Sequence, residues 1–515
     1  MVKSISVLII MLGMLVSWLI ADTTYVSGII NTNTVWSPAG SPYVITGNVL
    51  VNTGVRLDIQ PGVKVLFNYD KYIMVKGTLK AIGTEQDSII FTALDTTQWW
   101  RRLWFKPEAF ACSLKYCRIS YACSSAIYNE DTLYIGYSTI TNNSADLGGG
   151  GGIYNYGTAT ITNNTITNNS ANYGGGIYNN YGTVTITNNT ITNNSAYWGG
   201  GILNYDGTAT ITNNTITNNS AYWYGGGIDN DGTATITNNT ITNNSANWGG
   251  GIGNYDGTAT ITNNTITNNS ANYGGGIYNN YGTATITNNT ITNNSADWSG
   301  GIYNYGTATI TNNTITNNNA NYYGGGIYNS GIATITNNTI IDSTASTIRI
   351  QYGSIKLNYN NLNNLNPTGY TVYNNTADTI NARNNYWFTV DTLVIAQKIY
   401  DFWDDFNLGE VYYRPFLTAP VPGIEEKDTN ETYSLPLAMT GSVKIFPNPA
   451  KSVIRVRAPF SVDKVTIYDV AGKIIKVQKF NGSKVQEISL DGIKNGVYFV
   501  KVNDAMVKEK LVITK

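Results

Sequence analysis

The sequence predicts an all-β protein, a parallel β-helix solenoid followed by a small β-sandwich. Three observations lead there. Isoleucine returns at a fixed period: Ile161, Ile186, Ile211, Ile236, Ile261, Ile286, Ile310 and Ile335 are spaced by 25 residues with a single step of 24, and a period of that size marks a solenoid or array. Within a period, apolar residues alternate with threonine at strand spacing. Near the C-terminus, short alternating strands such as VIRVRA, KVTIYDV and VYFVKV are broken by turns at Ala471-Gly472, Asn481-Gly482 and Asn495-Gly496, the pattern of a small sandwich.

In chain order, the first residues read as an address. Lys3 precedes an apolar run from Ile5 to Ile20 that ends at Ala21 before Asp22, so residues 1–21 are expected to be a secretory signal peptide. The competing reading is an uncleaved anchor: the run is slightly short for a span, but Leu19 is an imperfect residue three before the cleavage point. No second run approaches membrane-span length, so no integral span is expected after removal of the signal.

Composition then limits the chemistry. The 515 residues are 42% hydrophobic and 12% charged, and there is no histidine. Serine-histidine triads and histidine-bound zinc are excluded, and any catalysis would have to use carboxylates, Lys, Arg or Tyr. No cofactor, no metal and no nucleic-acid partner are expected. Cys112, Cys117 and Cys123 match no common zinc or haem spacing. They fit either one local disulfide with a free thiol or three small, partly buried side chains in adjacent turns.

Near-identical repeats occupy about 137–343. Each holds three strand-like pieces, for example Thr158–Thr162, Thr165–Thr167 and Gly176–Asn179, with Ala159, Ile161, Ile166 and Ile177 on one side and threonines on the other. The Leu-x-x-Leu-x-Leu frame of leucine-rich repeats is missing, and no segment of a repeat has helical spacing. The remaining solution is a parallel β-helix, roughly fifteen coils between residues 40 and 420 and on the order of 70 Å long at about 4.8 Å per coil. Stacking places like on like, which disfavours charge and suits Asn amides that donate to one neighbour and accept from the next. No Lys or Arg occurs between Arg118 and Arg349. Gly174, Gly175 and Gly176 would turn a corner, and the Asn-Asn-Thr and Asn-Asn-Ser sequons read as structural.

An open terminal coil exposes core and strand edges, so capping segments are needed. Residues 43–93 resemble the opening coils of secreted right-handed β-helix proteins, and residues 380–420 resemble the segment that closes them. The expected domains are a right-handed parallel β-helix over 22–422, a polar linker over 423–440 and an immunoglobulin-like β-sandwich over 441–515. The last carries 14 Lys or Arg against 6 Asp or Glu, a net of +8 in a chain of net −1.

This final module carries Phe446-Pro-Asn-Pro-Ala450, Val465-Thr-Ile-Tyr-Asp-Val-Ala-Gly-Lys473 and Asn495-Gly-Val-Tyr-Phe-Val-Lys-Val502, ahead of a basic, strand-like end. It resembles the C-terminal sorting domain of proteins exported by the type IX secretion system of Bacteroidota-like bacteria. The resemblance implies recognition by secretion machinery at the outer membrane, followed by release or attachment to surface lipopolysaccharide. It singles out Pro447, Asn448, Pro449, Tyr468, Asp469, Gly472, Gly496 and Tyr498. The central repeats, with their GGGI and ITNN pieces, look similar to those of polymorphic outer-membrane proteins and bacterial adhesins. Autotransporters of that kind end in a membrane barrel with an aromatic last residue, whereas this chain ends in Lys515, so only the repeat resemblance is retained.

Three columns of the predicted rod carry functional candidates. Tyr173, Trp198, Trp223, Trp248, Tyr273 and Trp298, each 25 residues from the last at the approach to the Gly corner, would form an aromatic stripe. Such a stripe suits either the apolar faces of sugar rings or self-stacking over the corner. Asp206, Asp231 and Asp256 precede turn glycines and could bind Ca²⁺, although calcium wants six to eight oxygens and the same column holds Tyr181 and Tyr281, which fits a solvated turn. Repeated Thr-x-Thr, as at Thr158 and Thr160, builds a flat lattice that resembles those of β-solenoid ice-binding proteins; threonine is also a good exposed strand residue. Charged groups at Arg101, Arg102, Lys106 and Glu108, and at Asp401, Asp404 and Asp405, read as solvated caps. The expected function is an exported, surface-displayed or released rod with a structural or adhesive, glycan-contacting role and no catalytic site in the repeats. A secreted polysaccharide lyase or hydrolase and an ice-binding array are the alternatives.

Overall fold

The computed structural model describes residues 23–421, 444–469, 473–503 and 505–514. The expected signal peptide, the linker 423–440 and Gly472 lie outside the described residues. The chain forms two compact units, a solenoid and a C-terminal antiparallel unit.

In the solenoid, strands pair in parallel with their counterparts one coil away. Thr208–Thr212, Thr215–Thr217, Ser220–Ala221 and Ile228–Asn230 make up one coil. This is one strand more than the three expected: the Ser-Ala segment, read from sequence as a connection, adds a parallel sheet of eight short strands from Ser144–Gly149 to Asn319–Tyr323. The Thr-Ala-Thr-Ile-Thr strands belong to a sheet of 16 strands running from Thr34–Trp36 to Val411–Tyr412. In Thr208–Thr212, Ala209 and Ile211 are buried while Thr208 and Thr210 are exposed, the alternation that the sequence predicts. Ile211 sits in register between Ile186 and Ile236, all fully buried, and each such side chain stabilises the fold by about 1.5–3 kcal/mol of transfer free energy.

The Asn pairs at the corners divide two tasks. The first Asn adopts the left-handed conformation, with φ of 57° at Asn213 and 56° at Asn218, which Asn tolerates better than most residues. The second points inward and is buried. Asn214 Nδ2 donates to Asn239 Oδ1 at 3.0 Å, and the same oxygen accepts the Asn214 backbone N–H at 2.8 Å. The remaining Nδ2 hydrogen reaches backbone carbonyls at Ile186 and Thr212. Such ladders run from Asn164 to Asn385 and from Asn143 to Asn318, and a third from Asn129 to Asn329. A neutral amide can be fully satisfied there, whereas a charge could not.

The glycine corner also divides its work. Gly174 has φ of 60°, a conformation open to glycine at little cost. At Gly175 a Cβ would meet the backbone oxygens of Gly200 and Ser195 at 2.5 Å, so coil-to-coil contact itself requires glycine.

Pairing begins earlier than residue 43, since Thr24–Ile30 pairs in parallel with Tyr43–Val51. Trp100, fully buried, stacks on Phe67 at 4.1 Å near that end. A six-residue helix, Thr392–Gln397, precedes the strands Ile399–Tyr400 and Val411–Tyr412, which still pair in parallel with earlier coils. The three cysteines are free thiols, Cys112 and Cys117 buried and Cys123 partly so; the disulfide alternative is not realised. Burial pushes the Cys117 thiol up to about 12, so these side chains serve as small apolar residues.

In the C-terminal unit five antiparallel strands hydrogen-bond as one network, dominated by Val453–Tyr468 and Ile474–Ser489. One core unites them, including Ile454, Val456, Ile467, Ile488 and Val500.

Candidate functional surface

The eight-stranded extra sheet positions the predicted aromatic stripe. Tyr173 and Trp198 bridge as backbone partners with rings stacked at 4.9 Å and 7°. Farther along, Trp248, Tyr273 and Trp298 are in register, with centroid separations of 6.1 and 6.2 Å and interplanar angles of 14° and 17°. Five of the six predicted residues therefore share one column. Trp223 does not. Its coil reads Ser220-Ala-Tyr-Trp-Tyr-Gly225, one residue longer than Ser195-Ala-Tyr-Trp-Gly199, so Tyr224 takes the place before the glycine and bridges to Trp248. Even 25-residue counting misplaces Trp223 because the insertion falls between the two glycine corners that set the register. Trp223 instead stacks on Trp248 from the flank, at 5.4 Å and 24°.

The stripe is also wider than one column. Tyr197 and Tyr222, half exposed at 50% and 56%, meet edge to face at 5.9 Å and touch Trp198 and Trp223 respectively. They flank an open depression of about 260 Å³ lined by Ala171, Ser195, Ala196, Tyr197 and Tyr222. Sequence reasoning missed Tyr197, Tyr222 and Tyr224; the Tyr before the Trp in two successive repeats was the available signal. Because the column rings stack on one another, each presents mainly its edge to solvent, and the tyrosines at the depression supply the exposed ring surface.

A second array faces outward on the sixteen-stranded sheet. Thr158, Thr160 and Thr162 pair with Thr183, Thr185 and Thr187, and the same three-wide register continues to Thr307, Thr309 and Thr311.

Elsewhere the charged candidates serve structure. Arg102 lies over the Tyr128 ring at 4.7 Å and Lys106 pairs with Glu130 at 2.5 Å. Asp401 accepts backbone N–H groups from Trp403 and Val411, fixing a turn. Among the described residues no three His, Cys, Asp or Glu side chains gather in a way that could hold a metal ion, so Asp206, Asp231 and Asp256 do not converge as one ligand set.

In the C-terminal unit, the sorting-motif residues hold turns and strand ends. Pro447 and Pro449 are exposed on either side of Asn448, whose Oδ1 accepts the Val512 N–H at 2.8 Å. Asp469, following Tyr468 at the strand end, pairs by backbone and side chain with the Lys473 N–H and carbonyl. Gly496 opens the strand that carries Tyr498, whose buried ring donates its hydroxyl to the Lys494 carbonyl at 2.8 Å.

Parallel coils and inward asparagine ladders define a β-helix protein. The family model described as right handed beta helix region matches residues 105–266 and 252–388, and the chain belongs to that family. The model described as secretion system C-terminal sorting domain matches residues 444–514. The protein is therefore an exported one, secreted or attached to the cell surface of a Bacteroidota-type bacterium, with a tail read by the secretion machinery. Among the described residues no helix is long and apolar enough to cross a membrane. A solved structure titled "Crystal structure of Dettilon tailspike protein (gp208)" is similar at 12% identity and a TM-score of 0.24, covering 93% of this chain and 73% of that chain, a likeness too distant to carry any argument. No curated protein matches the chain.

Proposed function

We propose that the solenoid is a surface-displayed or released rod with a structural and adhesive role, and that it contacts neutral glycans along the aromatic strip between Tyr173 and Trp298. The observation that supports this reading is the depression beside Tyr197 and Tyr222: two half-exposed rings at an angle over a floor of Ala and Ser, in a stretch without any Lys or Arg. Apolar ring surface beside small polar groups suits sugar rings, and the lack of basic residues argues against acidic polymers. Within that strip the depression is the proposed main contact point. Retention of the purified protein on a panel of immobilised polysaccharides tests it. Tyr197→Ala with Tyr222→Ala should lose retention at least tenfold and Trp298→Ala should keep it; equal retention of all three proteins would overturn the reading. Incubation with acidic and neutral polysaccharides in the presence of Ca²⁺ should release no unsaturated or reducing ends, and their appearance would favour the lyase or hydrolase alternative.

The three-wide threonine array supports a second reading, ordering of water against ice. Thermal hysteresis and inhibition of ice recrystallisation test it, and the absence of both would remove it.

A further inference from the structure

One outward column breaks in the middle of the rod. On the strands that begin with Ile177, Ile202 and Ile228, the next residue is Tyr178, Leu203 and then Asp229, followed by Gly253 and Tyr278. Tyrosines occupy this column on both sides of the break, so Asp229 stands where a buried ring would otherwise be. It is 1% exposed, and neither carboxylate oxygen has a hydrogen-bond partner. Its Oδ1 lies 2.9 Å from the point where a Cβ on Gly253 would be, which explains glycine in the next coil. Asp231, two residues on, adds a third buried carboxylate oxygen without a partner. Above them Tyr224, brought into place by the inserted residue, packs against Tyr255 at 4.9 Å.

Among the described residues no Lys or Arg pairs with either carboxylate. The nearest arginine along the column is Arg349, five coils away from Asp229, about 24 Å at strand spacing. Buried carboxylates are ordinarily paired or bound to metal. Asp206 and Asp256 lie on the solvent side and push in the same direction: burial first, then these two neighbours, raises the Asp231 carboxyl to about 6. Burial, with Asp231 second, puts Asp229 well above the ordinary carboxylate range, with the Asn230 N–H opposing.

We propose that Asp229 and Asp231 are the carboxylate ligands of a site for one hard divalent cation of the Ca²⁺ class. All the donors are oxygen, as such ions require, and two carboxylates match the charge of one such ion. The remaining ligands are water and backbone carbonyl groups. The site differs from the Asp206, Asp231 and Asp256 column, since its principal ligand is the buried Asp229.

Terbium(III), added to the full chain stripped with a chelator, is the probe, because nearby Tyr and Trp rings sensitise its emission. The expected result is saturable emission with one ion per chain, displaced by Ca²⁺. Asp229→Leu, which copies Leu203 of the preceding coil and should fold, and Asp231→Asn should each weaken binding at least tenfold. Asp404→Asn with Asp405→Asn should leave it unchanged. Ca²⁺ should raise the thermal midpoint of the wild type by several degrees and that of Asp229→Leu by none. Emission that survives both Asp229→Leu and Asp231→Asn, emission lost in the Asp404 and Asp405 variant, or no saturable emission at all would overturn the proposal.

Discussion

Asp342 Oδ1 accepts the Asn318 backbone N–H at 2.6 Å, ending the inward amide ladder that begins at Asn143 with a carboxyl group in place of an amide. Asp342 is fully buried and its other oxygen has no partner. Burial raises its carboxyl well above the ordinary 3.8, with the Asn318 N–H opposing. The folded protein therefore holds a proton there that the unfolded chain releases.

The sign of the pH effect follows. A carboxyl raised on folding contributes stability that is complete below the unfolded value near 3.8 and is lost as pH climbs through the folded value. Denaturant midpoints for the wild type should fall from pH 4 toward pH 8. Asp342→Asn, which continues the ladder, should be more stable than wild type at pH 8 and equal to it near pH 3.5.

Truncating one rung in mid-ladder should be costly. Asn239→Ala removes the acceptor of two hydrogen bonds from Asn214 and leaves the Ile211 carbonyl without its donor. Orphaned buried groups cost about 1–3 kcal/mol each, so a loss of roughly 2–5 kcal/mol is expected in equilibrium denaturation.

Two glycines separate space from flexibility. Gly175→Ala would press a methyl group onto two backbone oxygens of the next coil and should lower the thermal midpoint clearly, whereas Gly148→Ala meets nothing within 4 Å and should leave it nearly unchanged. Differential scanning calorimetry of both variants checks the contrast.

Deleting Trp223 should be tolerated. It returns the coil to the length of Ser170-Ala-Asn-Tyr-Gly174 and keeps Tyr224 before its glycine, losing two ring contacts, with Tyr222 and Trp248, worth about 0.5–1.5 kcal/mol each. A cooperative unfolding transition within that margin of wild type is the expected outcome.

Where every coil repeats the same requirement, the sequence shows it plainly. Ile211 must fill a thin core and Thr210 must face water, so period and alternation reveal both. The Asn pair was legible as a ladder but not as two tasks, because backbone conformation separates Asn213 from Asn214 and side-chain chemistry does not. Ser220–Ala221 is too short for alternation to reveal its strand. The place of Tyr224 depends on where an inserted residue is absorbed, which glycine corners decide and counting does not. Asp229 looks like one more solvated acid until the ring column around it is seen.

Because ladder rungs such as Asn164, Asn189 and Asn264 offer the same upper and lower hydrogen-bonding surfaces, coils outside the Asp229–Gly253 pair are interchangeable at the ladder. Unequal recombination within the gene could add or remove a whole one without creating a new interface, letting reach vary among descendants while both caps stay fixed. Asp229 and Gly253, which fit only each other, would travel through such events as a single inherited unit.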